Sequence, residues 1–178
     1  MDFEDEKARL LFLRYALPCA ETLVKRGIVS KEYIRKLLKN VSFNEEVPKN
    51  SERIFKTAVL MCKRIAKRFG KKFISESVVR KYFLFEHDKA INKRHKMFKD
   101  FDSLTCRTYP GKVVSLKNRK AVVKTTIGKR RYKINLTQGL KIGDNVVVHR
   151  NFVVEKINES LARRLWKLRE RYFKSDNV

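Results

Sequence analysis

The sequence predicts an α+β protein. An all-helical N-terminal domain, residues 1–103, should be followed by a small five-stranded β-barrel with a C-terminal helix, residues 104–178. Three observations support this prediction. Apolar residues recur every three or four positions in the first part, and from Lys112 they alternate with polar ones. Glycine-containing turns separate five short alternating runs, which is typical of a closed barrel. The helical period then returns after Ser160.

The first helical segments are bounded by turn-forming residues. One apolar stripe stops at Pro18, where a helix should break or restart. A second stripe runs to Gly27, a residue suited to follow a helix C-terminus. Ser30 is expected to cap a helix over residues 31–38, and residues 41–50 are predicted to form a loop.

The strongest helical pattern of the chain follows Ser51. Its apolar face consists of Ile54, Phe55, Ala58, Val59, Cys62, Ile65, Ala66 and Phe69, and lysines and arginines occupy much of the rest. Gly70 should end this helix, and Ser75 should cap the next one. Residues 86–101 are a candidate extension of that helix, with Ile91, Phe98 and Phe101 as its apolar contacts.

In the barrel, strands are predicted over residues 113–116, 121–126, 131–136, 146–148 and 152–154. Turns are expected at Asn118-Arg119-Lys120, at Gly128-Lys129 and at residues 141–144. Asn158 or Ser160 should then cap a final helix over residues 161–173.

The formal net charge of +25 is far larger than solubility requires and indicates a polyanionic partner. Residues 104–178 contain 19 basic and 5 acidic residues (+14), and residues 1–103 contain 25 and 14 (+11), so both domains are basic. Nucleic acid is the first candidate, because lysine and arginine displace the counterions of phosphates. The sequence therefore predicts an RNA-binding or ribonucleoprotein-associated protein that contacts RNA through both domains.

The predicted RNA-binding residues are basic positions of the barrel and the last helix. They are Lys117, Arg119, Lys120, Lys124, Lys129, Arg130, Arg131, Lys133, Arg150, Arg163 and Arg164. Tyr109, Tyr132 and Phe152 are the aromatic residues that could stack on bases, although a place in the core is the alternative for each.

Several protein classes are not expected. No apolar run reaches the roughly 20 residues of a membrane-spanning helix, and the acidic start does not resemble a signal peptide, so we expect a cytoplasmic protein. Three cysteines without paired spacing argue against a disulfide framework or a Cys-x-x-Cys zinc site. The sequence has no nucleophile elbow, phosphate-binding glycine loop or zinc-protease motif, which indicates a protein that is not an enzyme and has no resident cofactor.

A family resemblance begins at Cys106. The run Cys106-x-x-x-Pro110-Gly111-Lys112-Val113-Val114, together with the later segment Gly143-Asp144-x-Val146-Val147-Val148-His149-x-x-Phe152, resembles the HypC/HupF hydrogenase-maturation chaperones over residues 105–160. The resemblance implies an OB-like barrel that shuttles an iron–cyanide–carbonyl group during nickel–iron hydrogenase assembly. It also implies that Cys106 and His149 are the iron ligands.

Two functions therefore follow from the sequence, with RNA binding as the main prediction. The alternative is a metallocentre-maturation chaperone that uses Cys106 and His149 on a metalloenzyme client, with iron as the metal. In this alternative, Arg107 and Arg150 would favour the thiolate form of Cys106. A third possibility is that the basic surface binds an acidic protein.

Overall fold

The computed structural model describes residues 2–97 and 104–175. The chain forms two compact units, Met1–Ser103 and Leu104–Val178. The first is helical, and the second is a closed five-stranded barrel followed by a helix. The predicted α+β fold class is therefore confirmed.

The helical unit contains six α-helices and short 3₁₀ segments within its described residues. The helices are α1 (Glu6–Ala16), α2 (Ala20–Lys25), α3 (Lys31–Phe43), α4 (Lys56–Arg68), α5 (Glu76–Lys81) and α6 (His87–Met97). The 3₁₀ segments are Leu17–Cys19, which contains Pro18, and Ser51–Ile54. As predicted, the proline interrupts the first helix.

Two helix boundaries agree with the predicted caps and one does not. The Ser30 hydroxyl accepts a hydrogen bond from the Tyr33 amide at 3.1 Å, and Gly27 adopts a φ of 67° just after α2. Ser75 precedes α5, but its hydroxyl does not cap the helix. Instead it accepts a hydrogen bond from Lys71 and contacts the Ser77 hydroxyl at 2.9 Å.

The helix after Ser75 does extend, through a local irregularity. A π-helical turn at Tyr82–Glu86 joins α5 to α6, which continues to Met97. The Phe83 ring of this turn stacks on Tyr15 of α1 with centroids 5.0 Å apart. Ile91 is buried as predicted, whereas Phe98 and Phe101 lie outside the described residues.

The barrel closes through the strand order β1-β2-β3-β5-β4. The strands are β1 (Thr108–Lys117), β2 (Lys120–Thr125), β3 (Gly128–Lys133), β4 (Asn145–His149) and β5 (Phe152–Lys156). All pairings are antiparallel except the short parallel contact of β3 with β5. β3 lies three residues earlier than predicted, because Thr125 and Gly128 already pair across a two-residue loop.

The barrel interior is filled by residues of all five strands. The buried cluster is Tyr109, Val113, Ala121, Val123, Tyr132, Val146, Val148 and Val153. Tyr109 and Tyr132 are therefore core residues and are not available to stack on bases. Burial also raises the pKa of Tyr132.

Gly111 of β1 lies against β2 without room for a side chain. A Cβ atom at this position would be 2.4 Å from a Val123 methyl group and 2.9 Å from the Lys124 carbonyl oxygen. Because a backbone oxygen has little freedom to move, the site requires glycine.

We therefore expect Gly111→Ala to lower the free energy of unfolding by about 1–3 kcal/mol through overpacking. Urea unfolding followed by the fluorescence of Trp166, the single tryptophan, measures this change. Lys112→Ala at the exposed neighbouring position is the control and should change stability by less than about 0.5 kcal/mol. An unchanged unfolding midpoint for Gly111→Ala would contradict the close approach of the strands.

Helix α7 (Glu159–Ser175) follows the barrel. The Asn158 side chain caps it by accepting a hydrogen bond from the Leu161 amide at 2.9 Å, so Asn158 and not Ser160 is the cap. Its residues Ala162 and Leu165 are buried. Within the described residues, none of the helices has the length and apolar character needed to cross a bilayer, whereas the cytoplasmic location stays a prediction.

Candidate functional site

Three side chains form hydrogen bonds with alternate backbone carbonyls of the segment that leads into β1. The Tyr109 hydroxyl donates to the Leu104 carbonyl at 2.8 Å, and a ring nitrogen of His149 contacts the Cys106 carbonyl at 3.0 Å. Arg169 of α7 donates from Nε to the Thr108 carbonyl at 2.8 Å. We call residues 104–108 the clamped segment. It places Cys106 beside the end of β4.

His149 is completely buried, and its hydrogen bond defines its tautomer. A carbonyl oxygen can only accept, so His149 Nε2 must carry the proton that is donated to Cys106. In the neutral ring, Nδ1 is then the nitrogen with the lone pair. Metal-binding histidines commonly donate their other ring N–H to a backbone carbonyl in this way. The arrangement is compatible with a metal ligand and equally provides a structural hydrogen bond.

The Cys106 thiol lies beside a cation. Cys106 is only 6% exposed, and Arg150 Nη1 lies 3.5 Å from its Sγ atom. A guanidinium at this distance favours the negatively charged thiolate over the thiol. The structure thus brings Cys106, His149 and Arg150 together at one rim of the barrel.

Sequence reasoning missed Arg169, which is 2% exposed and central to this site. Its Nη2 is 3.1 Å from the Thr108 hydroxyl, and its guanidinium carbon lies 5.9 Å from the centroid of the Tyr109 ring. A signal was present in the sequence, because Arg169 follows Leu165 by four positions and therefore lies on the apolar face of α7.

The predicted RNA-binding lysines and arginines of β1–β3 are all exposed. We call Lys117, Arg119, Lys120, Lys124, Lys129, Arg130, Arg131 and Lys133 the basic patch. Residues 104–143 contain no acidic residue. Asp144, the first acid after this stretch, accepts hydrogen bonds from the Lys156 side chain and the Lys141 amide, which hold the pKa of its carboxyl below the usual range.

The strand register aligns like charges in the basic patch. Lys120 is paired with both Lys117 and Lys133, and Lys124 is paired with both Lys129 and Lys112, a lysine that sequence reasoning omitted. Directly opposed like charges destabilise a sheet. Bound anions would relieve this repulsion.

The turn between β1 and β2 adds a second unfavourable feature. Asn118 and Arg119 both have positive φ, at 50° and 55°. Asn and Gly are the residues usually found in a two-residue turn of this kind, so arginine is strained at the second position. The turn nevertheless presents an exposed cation at its tip.

One row of paired residues connects the clamped segment with the basic patch. The row follows hydrogen-bonded strand neighbours around the barrel in the order Thr108, His149, Phe152, Lys133, Lys120 and Lys117. Phe152 is half-buried, and the Lys133 ammonium lies 5.4 Å from the centroid of its ring. Phe152 is therefore the one of the three predicted stacking residues that reaches the surface.

The remaining predicted binding residues lie apart from the basic patch in sequence. Arg163 and Arg164 are exposed on α7, and Arg163 forms an ion pair with Glu159. Arg150 is half-buried beside Cys106. We therefore assign Arg150 to the cysteine site.

The described part of the chain contains no group of three or more histidine, cysteine or carboxylate side chains that could hold a metal ion. Cys106 and His149 are thus at most two protein ligands. A closed structural zinc site requires four ligands, so the pair does not fit one. Two ligands with open positions do fit a group that is bound and later released.

Residues 106–169 match the model of the HupF/HypC family. The matched range includes Cys106, His149 and Arg169, and the helical unit lies outside it. The resemblance inferred from the sequence is thereby confirmed for the C-terminal unit. A search of curated proteins found no match for the chain.

Proposed function

We propose that the C-terminal unit acts as a metallocentre-maturation chaperone, which carries an iron-bearing group to a client protein and does not itself catalyse a reaction. The observation that carries this proposal is the hydrogen bond between His149 and the Cys106 carbonyl, which places both residues of the family pattern at one rim of the barrel. The family match over residues 106–169 supports the same function.

The chemistry of the pair suits a cargo site. A cysteine thiolate is a soft ligand and an imidazole is a borderline one, and both are suitable for iron. The cargo is a substrate of the protein, so it must also leave. Because two protein ligands leave coordination positions open, a client could take over the iron stepwise, with maturation proteins as the expected partners.

Purification under anaerobic conditions at low salt tests the proposal. Iron should accompany the protein at a substantial fraction of one equivalent, measured by elemental analysis. The ratio of absorbance at 260 and 280 nm on the same sample reports bound nucleic acid. Protein from cells with active metallocentre assembly that contains neither iron nor a cyanide or carbonyl infrared band would contradict the proposal.

A second candidate function, RNA binding through the basic patch, is favoured by the alignment of lysines across β1, β2 and β3. Because Tyr109 and Tyr132 lie in the core, this binding would depend mainly on phosphate contacts and little on base stacking. Such binding depends strongly on the salt concentration and little on the sequence of the RNA. The exposed cations of α4, such as Lys67 and Arg68, are candidates for the contribution of the helical unit.

Under this second candidate, replacing Lys129, Arg130 and Arg131 together with alanine should weaken RNA binding by more than about tenfold at low salt, because three phosphate contacts are lost. Fluorescence anisotropy with a labelled single-stranded RNA measures the affinity. The control is a triple alanine variant at Lys31, Arg35 and Lys36 of α3, which removes the same charge elsewhere. Equal losses in both variants would indicate net charge alone and would argue against the patch.

A further inference from the structure

We propose that the helical unit has a binding site of its own for single-stranded RNA, formed by the end of α4 and the loop that follows it. The site is the run Lys67-Arg68-Phe69-Gly70-Lys71-Lys72-Phe73, which we call the exposed ridge, because all of its residues are exposed and none is acidic. The inference goes beyond the iron-carrying function. It extends RNA binding to the other unit without resting on the basic patch, and it adds base stacking, which the barrel core excludes for Tyr109 and Tyr132.

The lysines of the exposed ridge lack the carboxylate partners that cations have elsewhere in the helical unit. Lys25, for example, forms an ion pair with Glu21 one helical turn away. Among the residues that the structure describes, Lys67, Lys71 and Lys72 contact no carboxylate. A solvated face whose lysines serve only solubility is usually balanced by nearby acids, so a row of unneutralised cations indicates an anionic partner.

Two phenylalanine rings lie among these cations. Phe69 is 54% exposed and Phe73 is 52% exposed, although a large apolar side chain gains free energy when it is removed from water. The Arg68 guanidinium lies 5.5 Å from the centroid of the Phe69 ring. Exposed aromatic rings interleaved with cations are the arrangement with which proteins bind single-stranded nucleic acid, since bases stack on the rings while cations contact the phosphates.

The backbone on either side holds both rings in defined positions. At the end of α4, Gly70 has a φ of 65°, and its amide donates to the Lys67 carbonyl at 3.0 Å. Beyond the second ring, Ile74 is buried, and its amide donates to the Asp2 carbonyl at 2.9 Å. Because the rings are carried by an ordered backbone, a base that stacks on them would cost little conformational entropy.

A single strand fits the exposed ridge better than other anionic partners do. The bases of a duplex are already stacked on one another and would not reach the rings. Lysine is depleted in protein–protein interfaces, whereas it makes up three of the seven positions of this ridge. A lipid surface would require a broad apolar face, but the apolar face of α4, with Cys62, Ile65 and Ala66, is buried inside the unit.

The test is fluorescence anisotropy of the full chain with a labelled oligouridylate of about 20 nucleotides. Phe69→Ala combined with Phe73→Ala should weaken binding by more than about tenfold, because each lost stacking contact costs about fivefold or more. The slope of log Kd against log salt should not change, since no charge is removed. Phe43→Ala is the matched control: Phe43 is an equally exposed phenylalanine at the end of α3, and its removal should leave the affinity unchanged.

Two further substitutions separate base stacking from a general apolar contact. Phe73→Trp keeps an aromatic ring and should retain the affinity, whereas Phe73→Leu keeps only the apolar character and should lose nearly as much as Phe73→Ala. Replacing Lys67, Lys71 and Lys72 together with alanine should have a different signature. It should reduce the salt slope by about 2, because three phosphate contacts to a single strand are lost.

The measurement is repeated in the variant in which Lys129, Arg130 and Arg131 are alanine, and the loss from the two phenylalanine substitutions should persist there. An unchanged affinity in the phenylalanine variant, or an equal loss in Phe43→Ala, would overturn the inference. So would a loss of binding to phosphatidylserine vesicles with RNA affinity intact, which would assign the ridge to a membrane. None of these readouts involves iron, so a failure here leaves the proposed function of the barrel unchanged.

Discussion

Replacing Cys106 with serine is expected to reduce the iron content of anaerobically purified protein to background, a loss of at least about tenfold. The hydroxyl of serine remains protonated at neutral pH and is a poor ligand for soft or borderline iron, whereas a thiolate binds it well. With only His149 left, a single ligand would not retain the cargo during purification.

The fold should survive this substitution. The contact of Cys106 with His149 is made by the backbone carbonyl, which serine retains. Serine also nearly matches cysteine in volume, so the melting temperature should shift by less than about 4 °C. Elemental analysis and thermal unfolding on the same preparation check both parts.

Cys19→Ser is the matched control, because Cys19 is a partly exposed cysteine of the helical unit. It should leave the iron content unchanged. Cys62 is less suitable as a control, since it is fully buried and desolvation raises the pKa of its thiol well above the usual range. Full retention of iron in Cys106→Ser would rule out Cys106 as the ligand.

The sequence was sufficient to predict the architecture, because periodicity is a local property. The change from helical to alternating pattern gave both units, and Ser30, Gly27 and Pro18 marked helix boundaries that the structure confirms. The start of β3 was predicted three residues late, because Gly128 indicates a turn and because residues 128–131, which are all exposed, show no alternation that would mark the strand.

Properties of the site that depend on register could not be predicted in the same way. The pairing of Lys120 with Lys117 and Lys133 requires knowing which residues face one another across strands. The apposition of Arg150 with Cys106 joins positions 44 residues apart. Sequence alone also left open whether Tyr109 and Tyr132 stack on bases or fill the core. In the closed barrel, both side chains belong to the buried core.

The two proposed functions would use different sides of the barrel. The side of β1 that faces β4 and α7 is covered, so the cysteine site is shielded from water. The side formed with β2 and β3 carries the aligned cations. Because one row of strand neighbours connects the two, an anionic molecule on the basic patch would lie along the barrel wall that leads to His149.

Arg169→Ala is expected to lower the free energy of unfolding by about 2–4 kcal/mol, since it removes two charge-assisted hydrogen bonds to Thr108 from a buried site. The planar guanidinium donates hydrogen bonds to the carbonyl oxygen and to the hydroxyl oxygen of Thr108 at the same time. A lysine ammonium does not reproduce this planar arrangement of two donors. Arg169→Lys should therefore recover less than half of the lost unfolding free energy.

Urea unfolding followed by Trp166 fluorescence measures this effect, because Trp166 lies on the same helix. Arg163→Ala is the matched control: its exposed ion pair with Glu159 should contribute less than about 0.5 kcal/mol. Release of Thr108 should also loosen the clamped segment, and Cys106 should then be alkylated several times faster in folded Arg169→Ala. A variant that unfolds like the Arg163 control and keeps the original alkylation rate would show that Arg169 does not hold this segment, and that His149 and Tyr109 are sufficient to keep Cys106 covered.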